Sequence, residues 1–387
     1  MRKNKTLVIY RGDIVRESGE QTRLLNIIKS IKNDTDNIAL LLIDITKEEI
    51  KRNFSILEKE KLTDIKVLKS SGGFLKDYRI TKEFIKKNYP MQEINNVILV
   101  NSFAQLYAPL FKRNNINIVW SMHGVHEEKL NGSLKSQMRV YVQKRIEARL
   151  LRYVNEVIVV SKGMEEYVKS HYNYQDNIIV VPCAVDEDKF FYSNQIRELI
   201  RDELKVSNKM VLTYLGLYQK WQCTEELVEL FTALKKEHKN MFLMVISPNI
   251  IEFNELIKKK NVSEEDYCVL QLPHSEVPKY LMASDLGYIV RRDNIINQTA
   301  FPTKFAEYLA CGCPVVVNKE VGDYGKYVSE KNIGLSIDVD RMDMQEVHSF
   351  INNYMVAQKE IKEKCEEVAK KDLSWGAFQK NVVNVLK

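Results

Sequence analysis

Lys304 and Glu307 stand three positions apart in the stretch Arg291–Val317, RRDNIINQTAFPTKFAEYLACGCPVVV. At that spacing both side chains lie on one face of a helix. A lysine suits a phosphate, and the two oxygens of a carboxylate suit a vicinal diol such as that of a ribose. An exposed ion pair of small energy is the plain alternative. Arg291 ends an apolar run, which favours a purpose for its charge, and Pro302 precedes the helical pattern. A helix N-terminus at the end of a strand offers free N–H groups and partial positive charge to an anion. Three further stretches share this strand-to-helix setting. Gly19 in RGDIVRESGEQTR would let a phosphate or sugar approach the backbone, although this is no GxGxxG and an ordinary turn explains it equally. Gly216 and Lys220 in LGLYQKWQC offer a close approach and a cation, or a turn and a solvated lysine. His123 in WSMHGVHEEK can donate to a sugar hydroxyl or a developing charge, or can be structural. His126 and Glu127 stand beside it, but this is a poor zinc set, and no metal or other cofactor is expected.

These residues need elements that end together. Apolar runs predict strands at Thr6–Tyr10, Ile38–Asp44, Asp64–Leu68, Val97–Val100, Ile116–Ser121, Glu156–Val160 and Asn177–Val181. A second set is predicted at Met210–Leu215, Met241–Ile246, Cys268–Leu270, Leu286–Val290, Pro314–Asn318 and Gly334–Ile337. Amphipathic segments alternate with them, among them Glu225–Lys236, Glu252–Lys260, Val277–Ala283, Thr303–Cys311, Asp343–Lys370 and Ala377–Leu386. Alternation of this kind predicts an α/β protein with parallel sheets, here two Rossmann-like domains facing across a cleft. A composition break at about 190–200 divides a domain over 1–193, joined by a C-terminal helix over 375–387, from one over 194–374.

The chain of 387 residues carries a net charge of +6, which favours anionic partners without naming one. Its six cysteines follow no CxxC spacing and read as buried free thiols of a reducing cytosol. No signal-peptide pattern and no apolar run long enough to span a bilayer is read, so a cytoplasmic location is expected, with attachment to the inner membrane face left open. The segment 134–153 reads as a basic helix with a buried stripe of Leu134, Met138, Val142, Ile146 and Leu150. Its cations, Lys135, Arg139, Lys144, Arg145, Arg149 and Arg152, would form a solvated face or meet anionic lipid or an acidic acceptor. No reader motif or interleaved aromatics accompany the charge, so nucleic acid is not expected.

PTKFAEYLACGCPVVV resembles the donor-site helix of GT-B fold glycosyltransferases, most closely the retaining group called family 4. VIVVSKGMEEYV, VVPCAVDEDKF, LTYLGLYQKWQ and EVPKYLMASDLGYIV fall in that family's order and spacing. The resemblance implies sugar transfer from a nucleoside-diphosphate donor to a hydroxyl of a glycan or lipid-linked acceptor, in bacterial surface polysaccharide or glycoconjugate synthesis. A nucleotide-sugar epimerase, or a binding protein without turnover, is the alternative. It implies that Glu307 binds the ribose as the second Glu of a Glu-x7-Glu motif. Backbone around Ala300, Phe301 and Thr303 would face the donor, His123 its sugar, and Gly19 its diphosphate, with the last helix crossing back onto the first domain. Thr299 stands where the first Glu of the motif belongs. Leu217 and Gln222 stand where the family's Arg and Lys would neutralise the diphosphate, and Cys183-Ala184 replaces its Asn-Gly. Arg291, Lys304 or Lys220 is therefore expected to take that charge.

Overall fold

The computed structural model describes residues 5–12, 19–32, 37–43, 64–69, 74–112, 115–130 and 132–386. The chain forms two compact units, Met1–Pro182 with Phe378–Lys387, and Cys183–Ala377.

In the first unit, β1 (Lys5–Arg11), β2 (Asn37–Ile43), β3 (Asp64–Leu68), β4 (Ile94–Val100), β5 (Asn117–Ser121), β6 (Glu156–Val159) and β7 (Ile178–Val180) build one sheet. Its order is β3-β2-β1-β4-β5-β6-β7 and its pairings are parallel. α1 (Gly19–Ile31), α2 (Phe74–Asn88), α3 (Leu134–Leu151) and α4 (Lys162–Tyr172) connect them. Leu7, Val8, Ile9, Val97, Ile98 and Leu99 are fully buried. Covered on both faces, such strands read as unbroken apolar runs, which made them legible. Ser161 caps α4 by accepting from the N–H of Met164.

In the second unit, β8 (Met210–Leu215), β9 (Met241–Ile246), β10 (Tyr267–Leu270), β11 (Leu286–Ile289), β12 (Val315–Asn318) and β13 (Gly334–Ile337) form a parallel sheet in the order β10-β9-β8-β11-β12-β13. The helices are α5 (Asn194–Glu203), α6 (Thr224–Glu237), α7 (Ile250–Lys259), α8 (Val277–Ala283), α9 (Ile295–Thr299), α10 (Thr303–Ala310), α11 (Tyr324–Lys331) and α12 (Met344–Asp372). The strand order reverses between β8 and β11, so loops leaving their carboxyl ends diverge there and open a crevice. α10 is clamped over this point. Tyr308 lies so close to Gly287 that a Cβ there would meet its ring at 2.7 Å, and its hydroxyl donates to the Thr213 carbonyl at 3.1 Å.

α13 (Trp375–Asn384) follows, and residues from Phe378 belong to the first unit. There Asn117 donates to the Val385 carbonyl at 2.6 Å and Gln379 to that of Ser30 at 3.5 Å.

One expectation fails. The stripe predicted to be buried on α3 faces solvent, with Leu134 83% and Met138 71% exposed, and Val142 and Ile146 also exposed. The row Ser136, Val140, Glu147 and Leu151 is buried instead. Glu147 decides the orientation: it accepts from Tyr172 Oη at 2.5 Å, and His126 Nε2 lies 2.9 Å from its other oxygen. A buried carboxylate must keep its partners, and here that outweighs the apolar row.

Candidate functional site

The second unit brings its candidates to the strand-order reversal. Gly216 follows β8 at φ +151°, and a Cβ there would meet Gln222 Oε1 at 2.9 Å and Lys304 Nζ at 3.1 Å. Lys304, in the first turn of α10, reaches under β8 and donates to the Leu215 carbonyl at 2.9 Å and to Gln222 Oε1 at 2.8 Å. Tyr214 Oη donates to that same Gln222 oxygen at 2.9 Å. Burial pushes the Lys304 ammonium well below its ordinary range, Arg291 adds to this, and Glu307 opposes it.

Arg291 follows β11 and is 9% exposed. Its backbone N–H donates to Asn318 Oδ1 at 2.7 Å, and its guanidinium lies 5.3 Å from the Trp221 ring centroid. Its buried Nε has no hydrogen-bond partner, and burial lowers its pKa. No acid pairs with Arg291 or Lys304 among the described residues. Arg291 is buried and Lys304 half-buried, and holding two cations there without a salt-bridge partner is costly unless an anion joins them. An arriving anion would also raise the Lys304 pKa again and fix its charge.

α10 begins at Pro302 with no side-chain cap, leaving the first N–H groups of the helix open. Thr303 is half-buried and Phe301 is buried, its ring edge-on to Phe305 at 5.5 Å. Glu307 is 7% exposed one turn further on. The structure adds His274, whose Nε2 lies 3.7 Å from Glu307 Oε1, and Phe190, edge-on to His274 at 5.7 Å. Sequence reasoning missed both; the available signal was the loop LPHSE leaving β10 at the same sheet edge. It also missed Trp221 and recorded Gln222 only as a missing charge.

Thr299 turns its hydroxyl into its own short helix, donating to the carbonyls of Ile295 and Ile296 at 2.9 and 3.1 Å. Ala300 is half-buried beside it, and Lys220 is exposed. Asp186 accepts from the Asp188 N–H at 3.2 Å. A cavity of about 570 Å³ lies at the opposite edge of this sheet. Its Arg197, Arg201 and Asp285 satisfy one another, which makes it a structural network.

In the first unit His123 lines a cavity of about 330 Å³ with Asn101, Phe103 and His126. Burial, and secondly the charge of Arg23, lower its pKa to about 4, so the ring is neutral at pH 7. Its Nδ1 is buried without a hydrogen-bond partner. Gly19 is the first residue of α1, and residues 13–18 of its loop lie outside the described residues. Among the described residues no group of three His, Cys, Asp or Glu is placed to hold a metal, no helix is long and apolar enough to cross a membrane, and no disulfide joins the six cysteines.

Two family models match this chain: Glycosyltransferase Family 4 over residues 74–189 and Glycosyl transferases group 1 over residues 195–372. An uncharacterized glycosyltransferase of Methanocaldococcus jannaschii is 21% identical over 194 residues. That match spans 44% of this chain and 49% of the relative, about half its length. HepE of Anabaena, solved with UDP, matches with a TM-score of 0.75 at 14% identity over 99% of both chains. The same protein was also solved with UDP-glucose, and that structure matches with a TM-score of 0.71 at 15% identity over 99% of both chains. WaaG, a glycosyltransferase involved in lipopolysaccharide biosynthesis, matches with a TM-score of 0.66 at 14% identity, over 98% of this chain and 99% of its own.

Proposed function

The chain belongs to the family 4-like glycosyltransferases of the GT-B fold, and from that premise we propose that it moves a sugar from a nucleoside diphosphate to an acceptor hydroxyl. The observation that carries this is the pair of cations with no salt-bridge partner, buried Arg291 and half-buried Lys304, beside Gly216 and the open N-terminus of α10. A diphosphate supplies the charge they lack. Glu307 accepts the ribose hydroxyls, with His274 beside it. The donor is a uridine-type nucleotide sugar, in keeping with the UDP and UDP-glucose bound by HepE.

Catalysis in this reading is positioning and stabilisation of the departing diphosphate. Arg291 and Lys304 are its catalytic cations, and they make a metal unnecessary. The leaving phosphate takes the acceptor's proton, and the sugar keeps its configuration, as proposed for this family by resemblance. Neutral His123 donates a hydrogen bond to a sugar hydroxyl. Incubation with nucleotide sugars in EDTA should release nucleoside diphosphate, slowly without acceptor. Tight binding with no release at all would make the chain a binding protein, and consumption of donor without release would make it an epimerase.

The acceptor is a glycan or lipid-linked molecule of surface polysaccharide or glycoconjugate synthesis, handled on the cytoplasmic side of a membrane. Supporting this is the exposed face of α3. There Leu134, Met138, Tyr141 and Val142 stand among Lys135, Arg139, Arg145 and Arg149. The one acid of α3, Glu147, is buried. Apolar side chains that insert and cations worth about 1 kcal/mol each at an anionic surface suit lipid headgroups. The chain should sediment with phosphatidylcholine vesicles only when they contain phosphatidylglycerol. Leu134→Asp with Met138→Asp should abolish this, and equal sedimentation of that variant would remove the membrane contact.

A further inference from the structure

A second cavity in the first unit, about 460 Å³, adjoins the one that holds His123; Ser102, Phe103 and His126 line both. Its wall combines two chemistries. Arg11 and Arg139 are cations, while Phe103, Leu106 and Ile146 are apolar. Arg11 is held in place, its guanidinium 3.8 Å from the Phe103 ring centroid and 3.4 Å from Asp77. The one acid in the lining, Glu147, is engaged by His126 and Tyr172. The lining sets two arginines, Arg11 paired with Asp77 and Arg139 exposed, beside apolar surface, a size and lining suited to a small ligand.

Its mouth has a direction. Arg139 and Ile146 line the cavity and also belong to the exposed face of α3. An apolar chain leaving the cavity past Ile146 runs onto Val142, Met138 and Leu134. At the inner end His126 is 5% exposed, its Nε2 2.9 Å from Glu147 Oε1, and the neighbouring cavity is lined by both His126 and His123.

We propose that this cavity binds the acceptor, and that the acceptor is a phosphate-bearing amphiphile. Its phosphate is held by Arg11 and Arg139, and its alkyl chain lies over Leu106 and Ile146 toward the outer face of α3. Its hydroxyl-bearing end points toward His126. This rests on the sugar-transfer reading and narrows its acceptor from any glycan or lipid-linked molecule to an anionic lipid phosphate.

Calorimetric titration with dodecyl phosphate below its critical micelle concentration tests it, beside dodecyl maltoside and inorganic phosphate. Dodecyl phosphate should bind about tenfold more tightly than either of the others, because only it satisfies both walls. Arg139→Ser and Ile146→Asp, both at exposed positions, should each weaken it about tenfold. Equal binding of inorganic phosphate would reduce the site to an anion pocket. Equal binding of the maltoside would remove the anion subsite, and wild-type affinity in both variants would place the ligand elsewhere; each result overturns the proposal. Nucleoside-diphosphate binding, measured on the same samples, should be unchanged in both variants. Its absence from the wild type would fault the donor reading instead.

Discussion

Lys304→Met should lower the turnover number for donor consumption by roughly 10²–10³-fold, the loss usual when one group stabilising a developing charge is removed. Nζ of Lys304 is fixed by the Leu215 carbonyl and Gln222 Oε1 before any ligand arrives. Preorganisation of this kind stabilises a leaving diphosphate without reorganisation during the reaction. The methionine fills the same space, so Tyr214, Gln222 and the α10 packing should hold and the melting temperature should stay near that of the wild type. KM should change less than the turnover number, because in the proposed site Arg291 and Glu307 remain to hold the donor. Steady-state kinetics on purified protein measure this, and a change below about threefold would remove Lys304 from the catalytic machinery.

Asp285→Asn should destabilise the second unit by about 3–5 kcal/mol, the loss typical when one partner of a buried charge cluster is removed. The carboxylate pairs with Arg197 at 2.5 Å and Arg201 at 2.9 Å. It also accepts from the N–H of Val211 at 2.9 Å, from Gln358 at 2.8 Å and from Tyr354 at 3.1 Å. Burial alone would raise its pKa, but Arg197, Lys362 and Arg201 together hold it down at about 2, against an ordinary 3.8. A depressed carboxylate contributes stability that is present above its unfolded pKa and is lost as pH falls through the folded one. The gap between wild type and variant should therefore be full at pH 7 and shrink between about pH 4 and about pH 2. Urea unfolding at several pH values measures it. A gap under about 1 kcal/mol at pH 7 would mean that the two arginines are solvated or held by other groups.

The same network explains where the sequence was opaque. Arg197 and Arg201 lie in α5, in a polar stretch that reads as a domain boundary; folded, they are 7% and 8% exposed. A charge that will be buried looks like a solvated one until its partner, Asp285, is known to be near, more than eighty residues away. α3 misled for the same reason. Its apolar row gives a helical stripe, but Glu147 had to meet Tyr172 and His126, and no local pattern says so. The strands were legible because a parallel strand covered on both faces is apolar throughout, as in Met241–Ile246, where all six residues are buried.

For the site, spacing placed Lys304 and Glu307 on one helix, and the ends of β8 and β11 bring Gly216 and Arg291 to the same sheet edge. Composition could not show that Gln222, with no charge of its own, anchors Lys304. Nor could it show that His274, over thirty residues before Glu307, approaches it. Both are contacts between a connecting segment and α10, set by sheet order rather than by local sequence.

The central claim is that Glu307, Lys304 and Arg291 form a nucleoside-diphosphate site. Isothermal titration of uridine diphosphate, with its adenosine and guanosine counterparts as comparisons, tests it most directly on the wild type and on Glu307→Gln. The wild type should bind one of the three saturably, and Glu307→Gln should weaken that binding by about tenfold or more, since a charged acceptor of two ribose hydroxyls is lost. A wild type that binds none of them, or a Glu307→Gln variant that binds as tightly as the wild type, would contradict it.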